Sequence, residues 1–273
     1  MACNERPEKR VRNWIRAFAL SMLPMAAMAQ DTGLKSLETT DSGRAWMAVG
    51  RLEIDGIGFC TGALISPTLV LTAAHCLFDK STRQRIDPEQ IEFRAGWRFG
   101  RASAYRAARQ AVIHPEYHYD QETSTMRVRN DIALIELWQP IRNTTVIPFE
   151  TGDWPRRGEE VGVVSYAEDR AEAPSLQEVC SVVTRQAGVL VMSCNVNFGS
   201  SGAPVFSLSG ERPRIVSVVA AMARMEGQRV SLGTALEDSL QLLKSELSAG
   251  RGFGASSSSG EPRKNIGARF IKP

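Results

Sequence analysis

The chain has 273 residues, of which 43% are hydrophobic and 23% are charged, so it can form one large domain or two small ones and is not a disordered chain. Its 33 basic and 30 acidic residues give a net charge of +3 at pH 7, and no long basic block follows the first 16 residues. Nucleic-acid binding requires a basic surface, whereas the basic and acidic residues of this chain nearly balance. We therefore predict no nucleic-acid partner.

The first 29 residues have the pattern of an export signal. Basic residues from Arg6 to Arg16 precede an apolar segment at 17–29, and Ala27-Met28-Ala29 has the small-x-small form of a cleavage site. This apolar segment contains Pro24 and is too short for a membrane anchor, which needs about 20 residues. We therefore predict a signal peptide at 1–29, no stable membrane insertion after its removal, and a secreted or periplasmic protein.

Four cysteines remain after signal removal: Cys60, Cys76, Cys180 and Cys194. An even number is typical of an oxidising compartment. Of the three possible pairings, the simplest joins each cysteine to its neighbour in sequence. Each disulfide would then close a loop of roughly 15 residues and stabilise the folded state by about 3 kcal/mol. A metal site is the rival explanation, but the chain has no C-x-x-C pair or Cys/His cluster, so we predict no metal and no cofactor.

Short apolar and alternating segments separated by Gly, Pro and Asp turns predict β-strands along most of the chain. In chain order they are 46–54, 57–65, 69–72, 91–95, 103–113, 132–137, 160–166, 177–185, 189–194, 203–208, 215–223 and 230–234. This pattern indicates an all-β sandwich or barrel. A parallel α/β fold is disfavoured because no long amphipathic helices alternate with the strands.

One helix is predicted at 235–248, near the end of the chain. Leu236, Leu240, Leu243 and Leu247 recur at spacings of four, three and four residues, which places them on one helix face. We expect this face to pack on the core. The composition of 249–273 shifts to Gly, Ser and Arg, which predicts a flexible tail.

The neighbours of one of the three histidines favour a catalytic role. His75 lies in Leu71-Thr72-Ala73-Ala74-His75-Cys76, whereas His114 and His118 flank Pro115 and are predicted to lie in surface loops. By itself, a buried histidine is more often a hydrogen-bonded core residue than a base. The case for His75 therefore depends on what accompanies it.

Two later segments supply the groups that a histidine base would need. Asp131 opens the apolar run Asp131-Ile132-Ala133-Leu134, and Ser201 lies between Gly199 and Gly202. A serine hydroxyl needs an adjacent imidazole to remove its proton, and the imidazole needs a carboxylate to fix its tautomer. Taken singly, Asp131 could be a strand-start cap and Ser201 part of a structural turn; together with His75 they are candidates for a catalytic triad.

Four segments resemble the trypsin-like (chymotrypsin-fold) serine proteases. They are Cys60-Thr61-Gly62-Ala63-Leu64-Ile65, Val70-Leu71-Thr72-Ala73-Ala74-His75-Cys76, Asn130-Asp131-Ile132-Ala133-Leu134 and Gly199-Ser200-Ser201-Gly202-Ala203-Pro204. The resemblance covers about 46–247. It implies that His75, Asp131 and Ser201 are catalytic and that the backbone N–H groups of Gly199 and Ser201 form the oxyanion hole.

The resemblance also implies a domain organisation. It predicts a protease domain at 45–248 made of two packed, six-stranded antiparallel β-barrels at about 45–150 and 158–235, with the C-terminal helix after them. The triad would lie between the barrels, and residues 30–44 would be either a propeptide or an N-terminal arm. The Cys60–Cys76 bridge matches the family's histidine-loop disulfide.

Departures from the family pattern indicate which subgroup of the family the chain resembles. Animal digestive members have an Asp before the nucleophile that pairs with a new N-terminal amine after zymogen cleavage, whereas this chain has Ser200. The Gly-Ser-Ser-Gly-Ala-Pro form, with Cys180 and Cys194 around a predicted hairpin before it, resembles secreted bacterial and glutamyl-endopeptidase-like members. We therefore do not expect activation by that ion pair.

Four residues are predicted to form the specificity pocket by their position relative to the family pattern: Asn195, Val219, Met222 and Arg229. Asn195 stands where cleavage after Lys or Arg normally requires an acid, and Val219 stands where glutamate-specific members carry a histidine. Met222 would narrow the pocket entrance, and Arg229 could attract an acidic group. Neither strict basic nor glutamate specificity has its usual residues.

The sequence therefore predicts a secreted serine endopeptidase that hydrolyses polypeptides through an acyl-enzyme. Two alternatives remain open. A misassembled triad or a pocket blocked by Met222 and Arg229 would leave a catalytically silent homologue that acts as a binding protein. The same triad could also support an esterase acting on small acyl substrates.

Overall fold

A computed structural model of the chain describes residues 33–254 except 55–57, 120–121 and 123, together with residue 1. The chain divides into two units, Met1–Asp31 and Thr32–Pro273. Apart from residue 1, the expected signal peptide at 1–29 lies outside the described residues, as does the end of the expected tail at 255–273.

The described residues form mostly strands. The strands are β1 Leu34–Ser36, β2 Val49–Ile54, β3 Gly58–Ser66, β4 Leu69–Thr72, β5 Ile91–Ala95, β6 Ala104–Ile113, β7 Ala133–Leu137, β8 Glu160–Ala167, β9 Arg170–Gln186, β10 Val189–Met192, β11 Pro204–Ser207, β12 Arg214–Met225, β13 Gln228–Ala235 and β14 Phe253–Gly254. The α-helices are α1 Thr40–Gly43, α2 Thr125–Arg129 and α3 Glu237–Ser248. Every strand predicted from the sequence overlaps a strand of the structure.

The first barrel closes through antiparallel pairs in the order β2-β3-β4-β7-β6-β5, with β5 pairing back to β2. The inward positions of these strands are buried, as in β2, whose Gly50, Leu52 and Ile54 alternate with the half-exposed Arg51 and Glu53. This alternation is what a sheet with one buried face requires. Closure removes the open edges that would otherwise pair with other chains.

The second barrel closes in the order β8-β9-β10-β13-β12-β11, with β11 pairing back to β8. Together the barrels confirm the predicted all-β fold with two antiparallel barrels and a C-terminal helix. Leu240 and Leu243 of α3 are buried, as the leucine spacing predicts. No helix among the described residues has the length and apolar character needed to cross a membrane.

Three aromatic rings connect the two barrels. Phe206 of β11 lies 4.9 Å from Trp46 and 4.8 Å from Phe149, measured between ring centroids, and both contacts are edge-to-face. Phe206 is fully buried, and Phe149 belongs to the connector between the barrels. Burying rings of this size dominates core energetics, and edge-to-face pairs add about 0.5–1.5 kcal/mol each. The barrels are therefore packed against one another through a shared apolar core.

Both ends of the protease domain extend further than the sequence predicts. Leu34–Ser36 of the segment expected to be a propeptide or an arm pairs with β9 of the second barrel, and Leu37 is 1% exposed. At the other end, Phe253–Gly254 of the expected flexible tail pairs with β6. These two residues have partners in the structure: the backbone of β6, and Arg85 above the Phe253 ring. Two- and three-residue strands are too short to show an alternating pattern.

Candidate active site

A histidine and an aspartate are joined by two short contacts at one end of the first barrel. His75 lies on a 3-10 turn at Ala74–Leu77, directly after β4. Asp131 Oδ2 lies 2.6 Å from His75 Nδ1, and Asp131 Oδ1 accepts the backbone N–H of His75 at 2.8 Å. The carboxylate therefore favours the tautomer with the proton on Nδ1, which leaves Nε2 of a neutral imidazole free to accept a proton.

The turn that carries Asp131 is fixed from both barrels. It follows α2, whose N-terminus is capped by the Ser124 side chain. Asn130 Nδ2 donates to Glu116 O, and Thr234 Oγ1 of β13 donates to Val128 O at 2.7 Å. Asp131 itself is 5% exposed, so its carboxylate is largely shielded from water.

Both predicted disulfides are present. Cys60–Cys76 joins β3 to the residue next to His75, and Cys180–Cys194 joins β9 to the segment after β10. Cys60, His75 and Cys76 cluster closely enough to suggest a metal site. Because the two sulfurs are bonded to each other, they are not thiolates, and these residues form no set of metal ligands.

The loop that carries Ser201 is ordered by hydrogen bonds to its carbonyl groups. Phe198 O accepts the N–H of Glu168 at 2.8 Å, and Ser200 O accepts the N–H of Ala203 at 3.0 Å. A trans peptide points its N–H opposite to its C=O, so these bonds also set the directions of the N–H groups of Gly199 and Ser201. Among the described residues, neither of these two N–H groups donates to an acceptor. Both remain available to a substrate oxygen.

Ser200, the residue before the predicted nucleophile, is fully buried. Its hydroxyl lies 3.1 Å from Ser165 Oγ and 3.4 Å from Tyr166 O, and it accepts the N–H of Asn197 at 3.4 Å. Burial and these contacts make Ser200 unsuited to attack a substrate. Neutral hydroxyls thus occupy the position where some family members form an ion pair.

Ser201 is partly exposed and lies next to the first barrel. Its carbonyl accepts the N–H of Thr61 at 2.9 Å. A Cβ on the next residue, Gly202 (φ +75°), would overlap Thr72 Oγ1 and Thr61 O and lie 3.0 Å from Ala73 N, two residues before His75. Within the part of the chain that the structure describes, the Ser201 hydroxyl forms no hydrogen bond with His75. Catalytic contacts of this kind often tighten only when substrate binds.

A cavity of about 350 Å³ opens beside this loop. Two of the four predicted pocket residues, Met222 and Arg229, line it. Its other lining residues are Cys194, Val196, Asn197, Phe198, Ala223, Arg224 and Val230. Asn195 and Val219 do not line it. The backbone N–H of Asn195 donates to Gln177 Oε1, and Val219 lies in the core of the second barrel with 2% exposure.

Of the two remaining histidines, one departs from the prediction. His118 is exposed as expected, but His114 is only 8% exposed, because the turn after β6 folds back beside Asp131. Burial lowers the pKa of His114, and its Nδ1 accepts the N–H of Glu116 at 3.3 Å, which requires an unprotonated nitrogen. Burial likewise raises the pKa of the neighbouring Tyr117 hydroxyl, and the Asp131 charge adds to the rise. Both side chains therefore stay neutral near pH 7.

Sequence reasoning missed two features of the site. Thr61 was part of the family pattern without an assigned role, yet its side chain contacts the Ser201 loop. Arg224 lines the cavity together with Arg229 because the two are directly opposite on β12 and β13. The Glu226-Gly227 turn between them was the available signal, because such a turn fixes hairpin register.

The sequence profile of the trypsin family matches residues 36–230. This is more than half of the chain and includes all three candidate catalytic residues. The chain belongs to the trypsin family. A solved structure of a Glu endopeptidase in complex with MPD has the same fold, with a TM-score of 0.66 and 18% identity over 81% of this chain and 98% of that chain.

Several named proteins resemble parts of this trypsin-family chain. A trypsin from Phaedon cochleariae is 34% identical over 105 residues, which is 38% of this chain and 36% of that protein. A glutamyl endopeptidase from Bacillus licheniformis is 26% identical over 157 residues, 57% of this chain and 48% of that protein. Human mannan-binding lectin serine protease 1 is 28% identical over 44% of this chain and 18% of its own length. The chain thus spans less than half the length of these curated relatives.

Proposed function

We propose that this chain is an exported serine endopeptidase that cleaves polypeptides through an acyl-enzyme. His75 removes the proton of Ser201 as its Oγ attacks a peptide carbonyl, Asp131 supports the imidazolium, and the N–H groups of Gly199 and Ser201 stabilise the oxyanion. His75 then donates the proton to the leaving amine. Water repeats the cycle on the ester and releases the acid.

The observation that carries this proposal is the pair of contacts from Asp131 to His75, at 2.6 and 2.8 Å, beside a loop in which two N–H groups have no acceptor among the described residues. An aspartate that only capped the strand would not need to bind the histidine ring. The leader pattern at 1–29 and the two disulfides support export to a secreted or periplasmic location.

The test compares the mature wild-type protein with Ser201→Ala and Ser200→Ala on a peptide library and on simple acyl esters. We expect peptide cleavage by the wild type, loss in Ser201→Ala, and retention in Ser200→Ala. Ester hydrolysis without peptide cleavage would instead indicate the esterase. A wild-type protein that cleaves neither substrate would indicate a silent homologue.

We further propose that the cavity beside Phe198 receives an acidic side chain of the substrate. Arg224 and Arg229 face each other across the β12–β13 hairpin, and like charges in that position repel. In the described part of the chain neither forms an ion pair, and no Asp or Glu lines the cavity. A carboxylate between them would relieve the repulsion. The Bacillus licheniformis relative is named a glutamyl endopeptidase, which agrees with this preference.

Arg229→Ala tests this preference. We expect kcat/KM for peptides with Glu before the cleaved bond to fall about tenfold or more relative to their Gln counterparts, as for the loss of a charged hydrogen bond. The difference should shrink at high salt because exposed charges are screened. Arg142→Ala, another exposed arginine outside the cavity, is the matched control. Equal cleavage of Glu and Gln peptides by the wild type would contradict the proposal.

A further inference from the structure

One buried threonine of the first barrel contacts the Ser201 loop of the second. Thr61 on β3 is fully buried, and its hydroxyl donates to Gly199 O at 2.9 Å. The same oxygen accepts the N–H of Tyr166 at 3.1 Å, so both its donor and its acceptor capacity are used across the barrel boundary. The Thr61 N–H donates to Ser201 O at 2.9 Å. Thr61 O in turn accepts the Thr72 hydroxyl at 2.9 Å.

These contacts fix the middle one of three consecutive peptides. The peptides before Gly199 and before Ser201 carry the two N–H groups assigned to the oxyanion, and their carbonyls are bonded to Glu168 and Ala203. The peptide between Gly199 and Ser200 joins them. Its carbonyl is bonded to the Thr61 hydroxyl, and its N–H donates to Asn197 O at 3.0 Å. If this peptide rotates, the directions of the two N–H groups change, because each peptide is planar and rotation passes to its neighbours.

Cys60, the residue before Thr61, connects β3 to the histidine half of the site. Cys60 is bonded to Cys76, which follows His75. Two consecutive residues of β3 therefore reach both catalytic elements, one through a covalent bond to the histidine turn and one through hydrogen bonds to the serine loop. Successive side chains of a strand point to opposite faces, so one strand can contact both elements.

We infer that the Thr61 hydroxyl is a positioning group for the oxyanion-binding N–H groups. This inference rests on the proposed function. Thr61 touches no reacting atom; it acts by holding the Gly199 carbonyl, and so the loop, in the orientation that binds the transition state. The Gly199 backbone (φ +91°) has no Cβ to restrict it, so the hydrogen bonds to its peptide, including the one from Thr61, keep it in one orientation.

Thr61→Val tests the inference, because it keeps the shape of the side chain and removes the hydroxyl. We expect kcat on a cleaved peptide to fall about tenfold to a hundredfold with KM changed less than threefold, because oxyanion contacts strengthen only in the transition state. Thr61→Ser restores the hydroxyl and should remain within about threefold of wild-type kcat.

Ser66→Ala is the control on the same strand. It removes a hydroxyl from the other end of β3, where Ser66 Oγ accepts the N–H of Leu69 at 3.1 Å. We expect both Ser66→Ala and Thr61→Val to lose thermal stability, but kcat to stay within twofold of wild type only in Ser66→Ala. If Thr61→Val does not fold, Thr61→Ala and Thr61→Ser differ only by the hydroxyl and give the same comparison.

Hydrogen–deuterium exchange gives a reading that does not depend on activity. We expect faster exchange at 197–203 in Thr61→Val and wild-type exchange there in Ser66→Ala. If the wild type cleaves no peptide, the proposed function fails while this exchange result still decides the role of Thr61. Equal kcat in wild type and Thr61→Val, equal loss in Thr61→Ser, or unchanged exchange at 197–203 would each overturn the inference.

Discussion

The two halves of the candidate site are built differently. In the first barrel, His75 and Asp131 contact each other directly through side-chain atoms, and a disulfide flanks the histidine. In the second barrel, Ser201 is placed by backbone hydrogen bonds of its loop, and its hydroxyl has no bond to the imidazole among the described residues. The side-chain pair of the proposed base thus lies in one barrel, whereas the loop of the proposed nucleophile is held by backbone bonds, one of them from Thr61 of the other barrel. We therefore expect substitutions in the two regions to impair the protein in different ways.

The largest effect is expected for Asp131→Asn on the histidine side. An amide places an N–H₂ group opposite His75 and favours the wrong tautomer, so we expect kcat to fall about 10⁴-fold with little change in KM. Steady-state kinetics on a cleaved peptide measure this. The exposed Asp153→Asn is the control and should be neutral. A loss of less than tenfold would show that Asp131 does not orient the base.

On the serine side, Gly202→Ala should disturb the fold as well as the activity. Gly202 has φ +75°, and an added Cβ would overlap Thr72 and the Thr61 carbonyl. The strain of a left-handed backbone conformation and the overpacking should together lower the free energy of unfolding by about 2–4 kcal/mol.

The hairpin-tip residue Gly227 is the matched control for that change. It has φ +80°, but no atom of the described residues lies within 4 Å of the position that an added Cβ would occupy, so Gly227→Ala should cost only the strain, about 1–2 kcal/mol. Urea unfolding of Gly202→Ala and Gly227→Ala measures the difference between their losses of stability. Equal losses would mean that the packing of Ser201's loop on the first barrel contributes nothing.

The smallest effect concerns His114, behind the histidine side of the site. Its pKa is lowered in the folded protein, so the unfolded chain binds more protons as the pH falls below the ordinary histidine value of about 6.5. Stability from this residue is therefore fully present above that pH and decreases below it. Comparing urea unfolding of wild type and His114→Gln between pH 7 and 5 should show a steeper decline in the wild type. Parallel declines would contradict the assignment.

The sequence was most informative where the residues that matter are neighbours along the chain. The even cysteine count and the pairing of sequence neighbours predicted both disulfides, and alternation predicted the barrel strands. The Thr61 contact joins residues 138 positions apart, and no local pattern encodes it. The burial of His114 depends on how its turn folds back, so it is likewise set by tertiary packing. The facing of Arg224 and Arg229 differs, because the local Glu226-Gly227 turn sets the register of their hairpin.

A phosphonylating probe tests the central claim most directly, because it reacts only with an activated serine. Wild-type protein and His75→Ala are treated with a fluorophosphonate, digested and mapped by mass spectrometry. We expect one adduct, on Ser201, formed about a thousandfold more slowly in His75→Ala, as expected for loss of a general base. An adduct on Ser200, or equal rates in the two proteins, would contradict the account.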